Sequence, residues 1–212
     1  MKNVLRCVMA ALLLSCGSTE LVAAKNSPLK VLAGDPLAFL QKNKKAAFEI
    51  DYSELIVTDT DHPENDMDFA SWMVSQDEDG DKWTRDWEEK DKAACDKAFR
   101  ENFNNEVEDG IRLTKLGKDY KVILRLKKID FGPPVTYSLR GFHGGEARAT
   151  GELVLCDFGT GEIVALISFN NLKGEDSFKQ IGRLQGIFEN LGENLNDFLK
   201  DCKKEAKKKA KK

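Results

Sequence analysis

ARATGELVLC (147–156), DFGTGE (157–162) and IVALISF (163–169) stand in direct succession. Two apolar, β-branched runs flank six residues that hold Asp157, Gly159, Thr160 and Gly161, which is the pattern of a β-hairpin with a glycine-containing loop. Upstream, Tyr120 to Ile129 places Val122, Leu124 and Leu126 on one face and Lys121, Arg125 and Lys127 on the other, a third strand. Phe48, Ile50 and Tyr52 alternate with Glu49, Asp51 and Ser53 before the run Leu55-Ile56-Val57, a fourth and central one.

Two amphipathic helices complete the pattern. Trp87, Ala94, Cys95, Ala98, Phe99 and Phe103 recur at helical spacing up to Gly110, and Phe178, Ile181, Leu184, Phe188, Leu191, Leu195 and Phe198 form one stripe between Ser177 and Lys200. Gly182 and Gly186 lie inside the second helix, where each costs about 1 kcal/mol against alanine, so close packing on the sheet is expected there. Phe69, Trp72 and Met73 fit a short helix or a strand equally well. The order β-α-β-β-β-α predicts an α+β fold: a mainly antiparallel sheet of about four or five strands with two packed helices.

The amino terminus has the three parts of a secretory signal over residues 1–24: basic Lys2 and Arg6, an apolar run from Val8 to Leu14, then small residues. That run is too short to span a bilayer. Two processing sites compete. Leu13-Leu14-Ser15-Cys16-Gly17 resembles a bacterial lipobox, which makes Cys16 the lipidation site, whereas Val22-Ala23-Ala24 is a small-x-small site that releases a chain starting at Lys25. Residues 25–45, with Pro28 and Pro36, read as a tether, 46–200 as one domain and 201–212 as a basic tail. The 212 residues suit one core, and 41% hydrophobic with 33% charged residues is a globular composition. Past Cys16 the cysteines are Cys95, Cys156 and Cys202, at spacings that match no zinc or redox motif.

Three features carry candidate chemistry. Asp77, Asp79, Asp81 and Glu88 occupy positions 1, 3, 5 and 12 of a calcium loop, but position 6 is Lys82 where the turn needs glycine. No cofactor is expected, and calcium on these four residues is the one candidate. Trp72, Trp83 and Trp87 flank the acidic segment and are candidate ligand-binding residues, able to stack on sugars, or else they close one end of the core. The glycine-rich segment around His143 leads into a strand, not out of one into a helix, so it is no phosphate cradle. There is no Gly-x-Ser-x-Gly and no His-Glu-x-x-His, and no catalytic residue is assigned. The lysines of 203–212 suit a solvated helix end, with anionic lipid or envelope polymer as the functional alternative.

Asp51-Tyr52-Ser53, Ile129-Asp130-Phe131-Gly132, Gly151-Glu152-Leu153-Val154, Asp157, Thr160-Gly161-Glu162 and Gly174 together resemble a group of uncharacterised bacterial envelope proteins. Their domain is similar to that of the curli-assembly and penicillin-binding-protein-activator lipoproteins. The resemblance covers roughly Ala47 to Leu199 and implies a non-enzymatic binding or assembly role in the periplasm or at the outer membrane. Its partners would be other envelope proteins or cell-wall components, with membrane attachment through acylated Cys16 and no nucleic acid. A calcium- or glycan-binding domain and a hydrolase of envelope polymers, with two carboxylates converging in a cleft, are the alternatives.

Overall fold

The structure is a computed structural model, and it describes residues 27–59, 62–76, 82–107, 109–132, 136–138, 141–143, 146–175, 177 and 179–211. The hairpin forms as the sequence predicts. Strands β9 (Arg148–Asp157) and β10 (Ile163–Lys173) pair antiparallel, Leu166 opposite Val154 and Ser168 opposite Glu152. The Asp157 carboxylate accepts the backbone N–H groups of Gly159 and Thr160, both at 2.9 Å, and Gly161, at φ +73°, closes the turn in a conformation other residues rarely adopt.

The other strands, in chain order, are β1 (Leu29–Gly34), β2 (Lys45–Asp51), β3 (Ile56–Thr58), β4 (Met67–Asp68), β5 (Arg112–Thr114), β6 (Tyr120–Asp130), β7 (Thr136–Ser138) and β8 (Gly141–His143). Eight of the ten form one mixed sheet in the order β1-β10-β9-β6-β2-β5, with β3 continuing alongside β6 beyond β2 and β4 pairing β3; β7 and β8 pair separately. Helical stretches run from 69 to 75 (α1, Phe69–Ser75), from 82 to 106 and from 180 to 209 (α4, Gln180–Lys209). The middle stretch is α2 (Lys82–Asp86) and α3 (Lys92–Glu106) joined by a π-helical turn over Trp87–Asp91.

This corrects the expected fold of four or five mainly antiparallel strands and two helices. Strands of two or three residues, such as β3, β4 and β5, are too short to show a period of two. Nor does alternation reveal direction: β2 runs parallel to both β5 and β6, and β3 runs parallel to β6. The helices between β2 and β6 supply the long crossover that such pairing needs. The expected tether is also folded in part. Leu29 and Phe39 are fully buried, β1 pairs with β10, and Asp35 caps a 3-10 turn at Pro36–Leu40 by accepting the Leu37 N–H at 2.9 Å. The basic tail continues α4 as far as Lys209, with Lys204–Asp201 and Lys208–Glu205 ion pairs one turn apart on its exposed end.

One face of the sheet makes the core. Val122, Leu124 and Leu126 of β6, Leu153 and Leu155 of β9, and Ile167 and Phe169 of β10 are buried against α3 and α4. Each helix meets the sheet through its apolar side, with Phe99 and Phe103 from α3 and Leu184, Phe188, Leu191 and Leu195 from α4. The α4 glycines serve a different contact from the one expected. A Cβ on Gly186 would lie 2.6 Å from the Glu175 nitrogen, and one on Gly182 would lie 2.3 Å from the Ser177 hydroxyl, so both accommodate the segment leading into α4 and not the sheet.

These two glycines should respond oppositely to alanine. At Gly186 the obstacle is backbone, and overpacking of about 1–3 kcal/mol exceeds the helix-propensity gain of about 1 kcal/mol. At Gly182 the hydroxyl can rotate away. Urea unfolding should show Gly186→Ala destabilised by about 1–2 kcal/mol and Gly182→Ala unchanged or more stable; equal effects would show that the 174–177 segment does not touch α4 as described.

Candidate functional site

The three tryptophans do come together, as members of an aromatic column. Phe131, just past β6, stacks on Trp72 of α1 (4.6 Å between ring centroids, 17° between planes), Trp72 on Phe69 (5.8 Å, 11°) and Phe69 on Tyr52, just past β2 (6.0 Å, 20°). Trp83 and Trp87, from the middle helical stretch, stand edge-on to this column: Trp83 against Trp72, and Trp87 against Phe69 and Tyr52. Such geometries contribute about 0.5–1.5 kcal/mol per pair beyond burial. Trp72 spends its ring faces on Phe131 and Phe69, and Trp87 is 2% exposed, so neither offers a face to a sugar. The column closes one end of the core.

Its anchoring is polar. Arg183 of α4, itself buried, donates from Nη1 to the Phe131 carbonyl oxygen and from Nε to the Ser177 carbonyl oxygen at 2.7 Å. At the far end the Tyr52 phenol sits beside the Cys95 thiol. Burial, then the nearby Cys95 and Asp96, hold the phenol pKa well above its usual value, and burial likewise pushes the Cys95 thiol up.

Two cavities of about 430 Å³ flank the column. The first has Val57, Met67, Trp72 and Phe131 as its apolar walls and Asp59, His62 and Asp130 among its polar ones. Its two carboxylates already serve as turn-formers: Asp130 accepts the Gly132 N–H at 2.7 Å and Asp59 the His62 N–H at 3.1 Å, while His62 Nδ1 lies 3.2 Å from Glu64. The second is lined by Asp51, Tyr52, Asp68, Trp87, Glu88 and Lys92, with others. There Asp51 accepts the Ser53 N–H and hydroxyl at 3.0 and 2.7 Å, and Asp68 caps α1 through the Ser71 N–H at 2.9 Å.

Of the calcium candidates, Asp77, Asp79 and Asp81 lie outside the described residues. Glu88 lies on the π-helical turn, exposed, and pairs with Lys92 at 3.6 Å. Among the described residues no group of three or more His, Cys, Asp or Glu is placed to hold a metal ion. Cys16 and both cleavage sites also lie outside the described residues, and His143 falls on β8. Among the described residues no helix is long and apolar enough to cross a membrane.

The feature that sequence reasoning missed is the second face of the sheet. Among the described residues no helix lies on it. A row of apolar side chains crosses its centre, Ala33, Leu166, Val154 and Ile123, each opposite the next in register. The bulge between Val31 and Ala33 leaves the extra residue Leu32 48% exposed beside the row. Leu166 and Ile123 are half-buried, and Val154 is fully buried although it lies outside the helix-facing core cluster. Charges border the row: Lys121 pairs with Glu49 at 2.8 Å and Lys127 with Glu152. The signal was in the sequence as unbroken apolar triplets, Val122-Ile123-Leu124 and Leu153-Val154-Leu155, which place apolar groups on both faces.

No protein-family model matches the chain, and no curated protein matches it. Among solved structures it is similar to a PelC dodecamer from Paraburkholderia phytofirmans, at 10% identity over 79% of this chain and 96% of that one, with a TM-score of 0.36. A point-variant PelC dodecamer from the same organism gives 10% identity over 79% and 95%, with a TM-score of 0.38. At these values the likeness bears on neither the fold assignment nor the function.

The column yields a graded expectation. Trp72→Ala, which removes a ring stacked on two others, should cost about 3–5 kcal/mol of unfolding free energy. Trp83→Ala, at the half-buried rim, should cost about 1–2 kcal/mol. Chemical denaturation measures both, and a Trp72→Ala protein of native stability would mean that the indole is not a packing residue.

Proposed function

We propose that this chain is an exported, non-enzymatic assembly module of the cell envelope that binds other proteins through the helix-free face of its sheet. The observation that carries the reading is the one-sided core. A sheet that buries one face under α3 and α4 and leaves exposed Leu32 and Ala33 with half-buried Leu166 and Ile123 on the other has a surface suited to a partner, because apolar area left accessible in one patch marks an interaction site. Export rests on the leader: basic Lys2 and Arg6, the apolar run to Leu14, and then either acylation at Cys16, which would tether the module to a membrane, or cleavage after Ala24. Partner binding also suits the turn-forming roles of Asp51, Asp59, Asp68 and Asp130, whose carboxylates hold backbone in place.

A native reporter sits on that face. Cys156 is half-exposed opposite Lys121, whereas Cys95 and Cys202 are buried, with the Cys202 thiol pushed up to about 11 chiefly by burial. In dilute purified protein a maleimide should label Cys156 well before the other two, since thiolate and access govern the rate. In intact envelopes the same thiol should react at least about 10-fold more slowly, because a bound partner covers it. Equal rates in the two settings would contradict docking on this face.

A further inference from the structure

We propose that the end of the sheet from which the β5–β6 and β9–β10 loops project docks on an anionic lipid bilayer, with Leu116, Phe158 and Ile163 entering between the headgroups and the surrounding lysines contacting lipid phosphates. This surface is distinct from the helix-free face and stands whether or not that face holds a protein.

Of the five large apolar side chains that stand exposed among the described residues, three sit at this end: Leu116 is 85% exposed, Ile163 54% and Phe158 50%. The register brings them together. β6 begins at Tyr120, opposite Asp157 at the end of β9 and Ala46 near the start of β2, and Ile163 opens β10 opposite Cys156. Asp119 ties three loops into one rim. Its carboxylate accepts the Lys44 ammonium at 3.1 Å and the Lys45 N–H at 2.8 Å, and its carbonyl oxygen accepts the Phe158 N–H at 3.1 Å. Gly117 lies so close to β2 that a Cβ there would fall 2.1 Å from the Ala46 carbonyl carbon, which fixes the loop that carries Leu116. Leu116 and Phe158 thus stand in water on a braced rim.

Cations surround these tips. The exposed Lys115 and Lys118 flank Leu116. Lys42 pairs with Asp109 at 2.6 Å and holds its carboxyl below the usual carboxylate range, and Lys203 of α4 adds to that effect, so the end of α4 lies beside the same rim. From there the exposed Lys207 and Lys209 continue the basic strip. Asp109 and Asp119 are taken up by Lys42 and Lys44, and Asp201 and Glu205 by Lys204 and Lys208, which leaves a cationic excess that Asp35, Asp157 and Glu162 offset only in part.

This chemistry selects a bilayer. Lysine is depleted where proteins meet, and three single side chains parted by lysines and glycines make no continuous apolar patch for a folded partner. An anionic polymer would meet the lysines but offers nothing to the apolar tips. A bilayer interface takes both, since apolar groups enter beneath the headgroups while lysine stems lie along them and keep the ammonium groups at the phosphates.

The test is flotation of the mature chain from Lys25, which carries every described residue and no acyl group, with vesicles of phosphatidylcholine alone or with about one third phosphatidylglycerol. The chain should bind the anionic vesicles at least about 10-fold more tightly than the neutral ones. Leu116→Asp combined with Phe158→Asp should weaken that binding at least about 10-fold, because the tips no longer enter the interface. Lys203→Glu combined with Lys207→Glu should do the same, since each lysine near such a surface contributes about 5-fold. All four positions are exposed, so both double variants should keep the wild-type urea midpoint. Should one lose it, Phe158→Trp reads insertion directly, through indole emission that shifts blue on anionic vesicles and is quenched by brominated lipid. Failure to bind the anionic vesicles overturns the proposal and leaves the tips to a protein partner. Binding that the loop substitutions leave unchanged, or indole emission at position 158 that brominated lipid leaves unquenched, overturns it too and marks the lysines as a strip for any polyanion.

Discussion

Burial of one sheet face under α4 is the interaction on which the rest of this structure depends. Leu184, Ile187, Phe188, Leu191, Leu195, Phe198 and Leu199 all leave water on a single helix, and at about 2 kcal/mol each their gross contribution is on the order of 14 kcal/mol. That is as large as the whole net stability of an ordinary domain. The last helix in the chain thus holds together strands drawn from the entire length before it, including β1 at the far edge. Gly174 and Gly186 make the approach possible: the chain leaves β10, doubles back against α4 and meets its backbone at distances that no side chain would allow.

The aromatic column extends the core beyond the reach of the long helices. α1 and the π-helical turn are short elements with little intrinsic stability, and they persist because their rings interlock with Phe131 and Tyr52 at the ends of β6 and β2. Arg183 ties this end to α4 by donating to the carbonyl groups of Phe131 and Ser177, so a buried charge is spread over backbone acceptors and links two parts of the core. The residue that orders the far end of the sheet belongs to the helix that covers its middle.

Legibility in the sequence followed element length. The β9–β10 hairpin, β6 and α4 are long enough for their periods to show, and Asp157 and Gly161 announced the turn between the first pair. β4 and β5 are too short to carry a pattern, the run Leu55-Ile56-Val57 that leads into β3 read as one strand with β2, and β1 was hidden because Pro28 and Pro36 bracket it and suggest a loop. Parallel pairing of β2 with β6 is a tertiary fact that alternation cannot encode. For the candidate site, Trp72, Trp83 and Trp87 stood out in the sequence as a group beside the acidic segment, but composition alone could not tell a stack closing a core from one awaiting a ligand; that distinction needs the ring geometry. The second face went unread because Lys121, Arg125 and Lys127 give β6 the look of a solvated strand, while Ile123 between them belongs to a row completed only by β9, β10 and β1.

The central claim is that this chain covers one face of its sheet with its own helices and leaves the other for a partner. Hydroxyl-radical footprinting of dilute protein reads that difference side chain by side chain. The account predicts oxidation at Leu166 and Ile123, with Ile167 and Leu124, their neighbours on the opposite face, protected. Equal protection of all four would contradict it, because the chain would then bury both faces by itself and have no open surface for assembly.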